Sequence, residues 1–233
     1  MNSVELLNER AKAPATIKQL DVLPLGRQPY DVVWDLQKEL VLKRQRQQIP
    51  DALVLVEHDP VYTVGKNGED NHLLQSRRFD VPVYHIERGG DVTFHGPGQI
   101  VGYPILDLRD HRKSVSWYMR CLEEVLIRTL MQFGIDAHRI EGLTGVWVSE
   151  SKIAALGVRL SRWVTMHGFA LNVNTDLSYY DGIIPCGIFE YGVTSMKEVL
   201  GYKLDMKAVI DEMADIFNRV FGYHDHYKIR SYA

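Results

Sequence analysis

Apolar positions recur at helical spacing from residue 31 to about 48. Val32, Val33, Leu36, Leu40 and Leu42 form the stripe, Lys43, Arg44 and Arg46 crowd its C-terminal end where cations suit the helix dipole, and Pro50 stops it. Short β-branched runs follow: ALVLVEH at 52–58, VYHIE at 83–87, and the stretches 92–94 and 100–105, interrupted by Gly96-Pro97-Gly98. A second helix is predicted over 115–133, with Ser114 as N-cap, Gly134 as the stop, and an apolar face that includes Tyr118, Leu122, Val125, Leu126 and Met131. Then come GVWV (145–148) and KIAALGVRL (152–160), which read as a hairpin, and GFALNV (168–173). Ser195 with Glu198 makes a capping-box pattern for a short helix, and 205–221 closes the pattern as an amphipathic helix. Strands come in clusters, with helices between clusters rather than after each strand. The fold class is therefore α+β with a mixed, largely antiparallel sheet flanked by helices.

Composition narrows the function classes. The 233 residues, 45% apolar, suit one catalytic-size domain over 1–233. A formal charge of -3 argues against nucleic acid or an anionic membrane as main partner, so any electrostatic partner must meet a local patch. The first residues, MNSVELLNERAKAP, lack a basic region followed by an apolar core, and no run approaches a membrane span; the expected location is the cytoplasm. Cys121 and Cys186 are too few for a disulfide framework or a thiolate zinc site.

Candidate chemistry concentrates in RGGDVTFHGPGQIVGYPILDL, residues 88–108. Gly89-Gly90 and Gly96-Pro97-Gly98 let the chain turn sharply and let another group approach the main chain without a Cβ in the way. A ligand is one candidate for that group; the alternative reading is a tight bulge and turn between strands. Neither GxGxxG nor GxxxxGK[ST] occurs, so neither nucleotide fingerprint applies. Cys121, inside the second helix, reads as a small packing residue. Cys186, in IIPCGI between Pro185 and Gly187, sits where a turn can present a nucleophile. It would need a partner to hold it as thiolate below a free pKa of about 8.5, and His95, His167 or a lysine could serve.

These residues carry a family resemblance. EHDPVYTVG (57–65), the 88–108 stretch, GLTGVWV (142–148), SKIAALGVRLSRWVTMHGFALNV (151–173) and IIPCGI (183–188) resemble the lipoyl(octanoyl) transferases of lipoate biosynthesis, over a signature-bearing core of about 30–221. The resemblance implies a fold like the catalytic domains of biotin and lipoate protein ligases. It implies transfer of an octanoyl group from octanoyl-acyl carrier protein to a lysine amine of lipoyl domains, those of 2-oxoacid dehydrogenase E2 subunits and of the glycine cleavage H protein. Cys186 matches the nucleophile that carries the acyl thioester, and Lys152 the lysine that lowers its pKa. Arg88, Gly89, Gly90, Asp91, Val92, Thr93, Phe94 and His95, then Ala155, Leu156 and Gly157, then Gly168, Phe169 and Ala170 match the segments lining the acyl site. No cofactor and no metal are implied, since the phosphopantetheine arrives on the carrier.

The chemistry is consistent with this. A lysine beside the thiol can trade one proton with it, and glycine-rich turns can offer N–H groups to an oxyanion. Thioester to amide runs downhill without ATP. Burying methylenes at about 0.8 kcal/mol each gives roughly 5 kcal/mol for an octanoyl tail, and Gly89, Gly90, Gly157 and Gly168 are expected to leave room for it. On that expectation a methyl at Gly90 or Gly168 would obstruct the acyl chain before it harmed the fold. His224 and His226 could be read as a metal pair, but no third ligand is evident. Arg109, His111, Arg112 and Lys113 form a basic cluster, read either as a solvated turn or as a docking patch for the acidic carrier protein. The alternatives to the transferase are an ATP-dependent lipoate or biotin ligase, which needs no covalent cysteine, and a non-catalytic acyl- or lipoyl-domain binding module.

Overall fold

The computed structural model describes residues 19–68, 72–184, 191–223 and 227–230. Along the chain lie β1 (Leu20–Gln28), α1 (Tyr30–Gln45), β2 (Asp51–His58), β3 (Val61–Val64), β4 (Val83–His85), β5 (Val92–His95), β6 (Gln99–Ile105) and α2 (Val115–Gln132). Then come β7 (Val146–Val148), β8 (Ser151–Ser161), β9 (Val164–Asn172), a 3₁₀ turn (Leu177–Gly182), β10 (Gly192–Val193), α3 (Met196–Leu200), α4 (Met206–Phe221) and β11 (Tyr227–Ile229). Among the described residues the strands form two sheets. The larger has the order β10-β8-β9-β6-β2-β1-β11 with β7 also paired to β8, and the smaller is β4-β3-β5. Pairing is antiparallel at β2–β6, β6–β9, β8–β9 and β7–β8, and parallel at β1–β2, β1–β11 and β8–β10. The fold class read from the clustering of strands is the one observed, with a small second sheet added.

The apolar run of β2 has a simple cause: both of its faces are covered. Leu53 and Leu55 pack with Leu122, Leu126, Met213 and Phe217 of α2 and α4, while Val54 and Val56 pack with Val33, Leu40 and Val41 of α1. Two caps are those that the sequence marks. Ser114 Oγ accepts from Trp117 N (3.2 Å) and Ser195 Oγ from Glu198 N (3.2 Å); Asp205, read only as the start of the last helix, caps it as well, its Oδ1 accepting from Lys207 N (3.0 Å).

Boundaries differ where local geometry intervenes. Helix α1 ends at Gln45 rather than near 48, because Gln47 takes φ +58 and turns the chain before Pro50 is reached. Strand β1 escapes a reading by alternation, since its register shifts between Pro24 and Arg27. The β8–β9 hairpin turns on Arg162 and Trp163, at φ +51 and +70, without the Asn or Gly that usually signals such a turn. No helix among the described residues is long and apolar enough to cross a membrane.

The basic cluster divides. Asp51, buried at the start of β2, accepts from Arg44 Nε (2.8 Å), Asp107 N (3.0 Å) and Tyr223 Oη (2.7 Å), and lies 2.7 Å from His111 Nε2. Arg109 is clasped by Asp107, with Nε 2.8 Å from Oδ1. Two members of the cluster therefore serve internal carboxylates, while Arg112 and Lys113 remain exposed. Burial alone would raise the Asp51 pKa, but hydrogen bonding from His111 and the Arg44 charge together hold it below the usual carboxylate range. Asp51→Asn should lower stability at pH 7 by about 3 kcal/mol in urea melts. A depressed carboxylate pKa stabilises above the unfolded value and is lost as pH falls, so the gap between wild type and variant should narrow below about pH 4.

Candidate active site

Strands β8 and β9 present small side chains where they pair: Ala155 opposite Ala170, and Gly157 opposite Gly168. Leu156, Val158 and Leu160 alternate onto the α2 and α4 side, so the small residues floor a trough that opens on the other face. Lys152 stands at one end. Ordinary alternation would point it the same way as Ala154, into the α2–α4 core. The register shifts against β7, however, where Val146 pairs with Ala154 but Trp147 pairs with Lys152. Ile153 is the extra residue, and it and Ala154 both pack in that core. This bulge turns Lys152 to the trough, where its ammonium lies 4.7 Å from the centroid of the Trp147 ring. Strand β10 pairs in parallel beside it, and Thr194 N donates to Lys152 O (3.0 Å).

Over the trough lies the glycine-rich stretch. Gly89 N donates to Val158 O (2.9 Å), Lys66 N to Arg88 O (3.0 Å) and Asn67 N to Gly90 O (3.1 Å). Arg88 is buried, its Nη2 donating to Thr63 O (2.9 Å) and Oγ1 (3.0 Å). Asp91 Oδ1 accepts from Val92 N (2.6 Å), and Oδ2 lies 2.6 Å from His72 Nδ1. Together these elements enclose about 730 Å³ counted out to the open mouth.

Gly157 and Gly168 correct the expectation placed on them, whereas a Cβ on Gly90 would meet only Arg88 Nη1, at 3.3 Å. A Cβ on Gly157 would stand 2.8 Å from Gly89 O, and one on Gly168 would run into the Gly102 carbonyl and Pro104 Cδ. Both border the cavity, yet the space their missing side chains free is filled by neighbouring backbone and not by the cavity. A methyl at Gly168 therefore disturbs the β6–β9 pairing first.

The histidines are set by burial. His95 Nδ1 lies 2.8 Å from Gln99 Oε1, and Gln99 Nε2 donates to Phe94 O (3.1 Å) and Asn172 Oδ1 (2.9 Å). This orients the amide so that His95 Nδ1 carries the proton and Nε2 the lone pair. Burial, with the neighbouring His58 after it, pushes His95 down to about 3; burial and then the Arg88 charge push His167 down to about 3. Neither imidazole can act as the cation that holds a thiolate near neutral pH. Lys152 is the lysine among the residues that line the cavity.

Of the other residues read as site residues, Arg88, Gly90, Asp91, Val92, Thr93 and His95 line the cavity, as do Ala155, Leu156, Gly157, Gly168, Phe169 and Ala170. Gly89 and Phe94 are not among the lining residues: Gly89 is bonded to β8, and Phe94 stacks on Tyr179 at 4.3 Å. Cys186 lies outside the described residues, as do His224 and His226. Its described flanks are fixed, with Ile184 N donating to His72 O (2.9 Å) and the Tyr191 ring 5.1 Å from Trp147. Tyr30, Tyr180 and Val193 also line the cavity without a signal in their local sequence, and Tyr103 and Asn172 line it from within the 88–108 and 151–173 motifs although neither was read as a site residue. Among the described residues, no group of three or more His, Cys, Asp or Glu could hold a metal ion.

The same architecture occurs in solved enzymes of one class. A bi-partite lipoate protein ligase from Thermoplasma acidophilum superposes with TM-score 0.69 at 16% identity, covering 92% of this chain and 87% of that one. A biotin protein ligase from Aquifex aeolicus gives 0.51 at 13%, covering 88% and 69%. At these identities the likeness concerns the fold. Sequence likeness is closer: octanoyltransferases of Rubrobacter xylanophilus and Caldicellulosiruptor bescii are 50% and 44% identical over 210 and 209 residues, spanning 87% of this chain in both cases and 94% and 92% of theirs. Residues 29–218 match the lipoyl protein ligase A/B catalytic domain, and the chain belongs to that family, on its octanoyltransferase branch.

Two outcomes test this site. Gly168→Ala should cost about 1–3 kcal/mol in chemical melts, with residual activity following the folded fraction. His58, His95 and His167, pushed down to about 4, 3 and 3, should show ring-proton resonances that do not titrate between about pH 5 and 8. Because these folded values lie below the unfolded value of about 6.5, their neutrality costs nothing above it, and stability should begin to fall as pH drops below it.

Proposed function

We propose that the protein moves an octanoyl group from the thioester of octanoyl-acyl carrier protein to a lysine of a lipoyl domain, through an acyl thioester on Cys186. The observation that carries this reading is the bulge that aims Lys152 into a trough of Ala155, Gly157, Gly168 and Ala170 while both cavity histidines stay neutral. Lys152 takes the Cys186 proton, and the thiolate attacks the carrier thioester. The tetrahedral intermediate collapses with loss of the phosphopantetheine thiolate, which recovers the proton from Lys152. In the second half the acceptor amine attacks the acyl-Cys186 carbonyl, Lys152 accepts the proton the amine sheds, and Cys186 leaves as thiolate. Atoms and charge balance in each half, and no ATP is consumed.

Acceptor lipoyl domains of 2-oxoacid dehydrogenase E2 subunits and the glycine cleavage H protein are the matching partners, and no resident cofactor enters any step. Intact-mass measurement after incubation with octanoyl-acyl carrier protein, without ATP, should show a gain of one octanoyl group. Cys186→Ser should abolish the stable adduct and nearly abolish transfer, whereas Cys121→Ser should leave both near wild type. Lys152→Arg keeps a positive charge that cannot release its proton, and should slow transfer by about 10² to 10⁴. An absolute ATP requirement would return the protein to the ligase reading; no adduct and no transfer would leave a binding module.

A further inference from the structure

The trough has a second end, and it is polar. Three residues of β8, ~10 Å at the rise of a strand, separate Ala154, next to the Lys152 end, from Gly157. An extended chain of about eight carbons, with its carbonyl at Lys152, spans that distance. Beyond it the apolar floor stops. The stem of Arg88 covers Gly157, its Cδ 3.0 Å from where a Cβ would stand, and His167 and Tyr103 border the same end.

His167 is there against local expectation. Its neighbours Val164 and Met166 pack on the α1 side and Phe169 on the α2–α4 side, so alternation would send His167 with Phe169. It takes φ +58 instead, a left-handed conformation, and its ring meets Tyr103 edge-on at 6.4 Å. Its Nε2 is buried without a hydrogen-bond partner, in a residue only 1% exposed. The Tyr103 hydroxyl has its proton committed. His58 Nδ1 must donate to Gln28 O (3.1 Å), so His58 Nε2 accepts from Tyr103 Oη (2.8 Å), which leaves that oxygen a lone pair. A backbone held in a sparsely populated conformation and a buried nitrogen with no partner, both in a residue that lines the cavity, together point to a contact made by a ligand.

We propose that His167 is the specificity-determining residue at the end of the acyl trough: it stops the chain at about eight carbons and offers one hydrogen bond to a hydroxyl carried on the terminal carbon. The site then takes ω-hydroxylated eight-carbon acyl groups as a second substrate class. A hydroxyl can donate or accept, so it matches either imidazole tautomer. The proposal rests on the acyl-site reading above.

Nonanoyl and 8-hydroxyoctanoyl groups have the same number of heavy atoms in the chain and differ only in ending on methyl or hydroxyl. Wild-type protein should transfer 8-hydroxyoctanoyl about tenfold faster than nonanoyl from pantetheine thioesters, as kcat/KM. In His167→Gly, which relieves the backbone and removes the ring, this preference should vanish, and the decanoyl-to-octanoyl ratio should rise about tenfold. His167→Asn tolerates the left-handed backbone and should relax the length limit while retaining part of the hydroxyl preference. Thermal melts establish that each variant is folded. Unchanged length and hydroxyl ratios in either folded variant would overturn the proposal. If neither variant folds, equal use of the two nine-atom chains by the wild type would overturn it. Ketone analogues, in which a methylene replaces the thioester sulfur, give the same comparison as binding by calorimetry. Protein that binds them with the expected order but transfers nothing would sink the transferase reading and leave the assignment of His167 standing.

Discussion

Main-chain oxygens of two separate segments occupy the places where Gly157 and Gly168 would carry side chains. Gly89 O stands over β8 and Gly102 O of β6 against β9, so four segments meet at backbone distance with no side chain between them. Such contacts cannot be adjusted by a change of rotamer. They fix how far the 88–90 turn lies above the sheet and how closely β6 holds β9. The cavity is what remains between these fixed walls. Its dimensions follow from the peptide backbone, and its chemistry from the few side chains that reach it.

Electrostatics then sort those side chains. Burial makes a charged imidazole costly, so His58, His95 and His167 remain neutral hydrogen-bonding groups. The Gln99 amide, held by Phe94 O and Asn172, sets which nitrogen of His95 bears the proton. Arg88, bonded to Thr63, brings a positive charge that presses His95 and His167 further toward neutrality. Lys152 lines the same cavity at the opposite end from the polar wall. On the proposed function, a trough that separates its proton acceptor from its closing residue by about the length of a strand segment gives position along the acyl chain a chemical meaning.

A similar economy governs the remote ion cluster at Asp51. Arg44, His111, Tyr223 and the Asp107 amide converge on one carboxylate and join the start of β2 to α1, to the chain after β6 and to the end of α4. Charges that look like a surface patch along the sequence are here divided between the interior and solvent. His111 belongs to the first group, Arg112 and Lys113 to the second, and Arg109 stays exposed while its guanidinium clasps the buried Asp107.

By itself the sequence determined the elements whose signal is local. Helical spacing, with the Ser114 and Ser195 caps, located the helices, continuous apolar runs marked β2 and β6, and the ordered motifs around residues 88–108, 151–173 and 183–188 carried the family and most of the cavity lining. Tertiary structure alone decided the rest, because it depends on groups distant in the chain. That Gly157 and Gly168 admit backbone and not ligand follows from where Gly89 and Gly102 lie. That Lys152 faces the trough follows from a one-residue shift against β7, which alternation along β8 would deny. That two histidines able on paper to partner a cysteine are held neutral follows from burial, and burial is a property of the whole fold that no local stretch of sequence encodes.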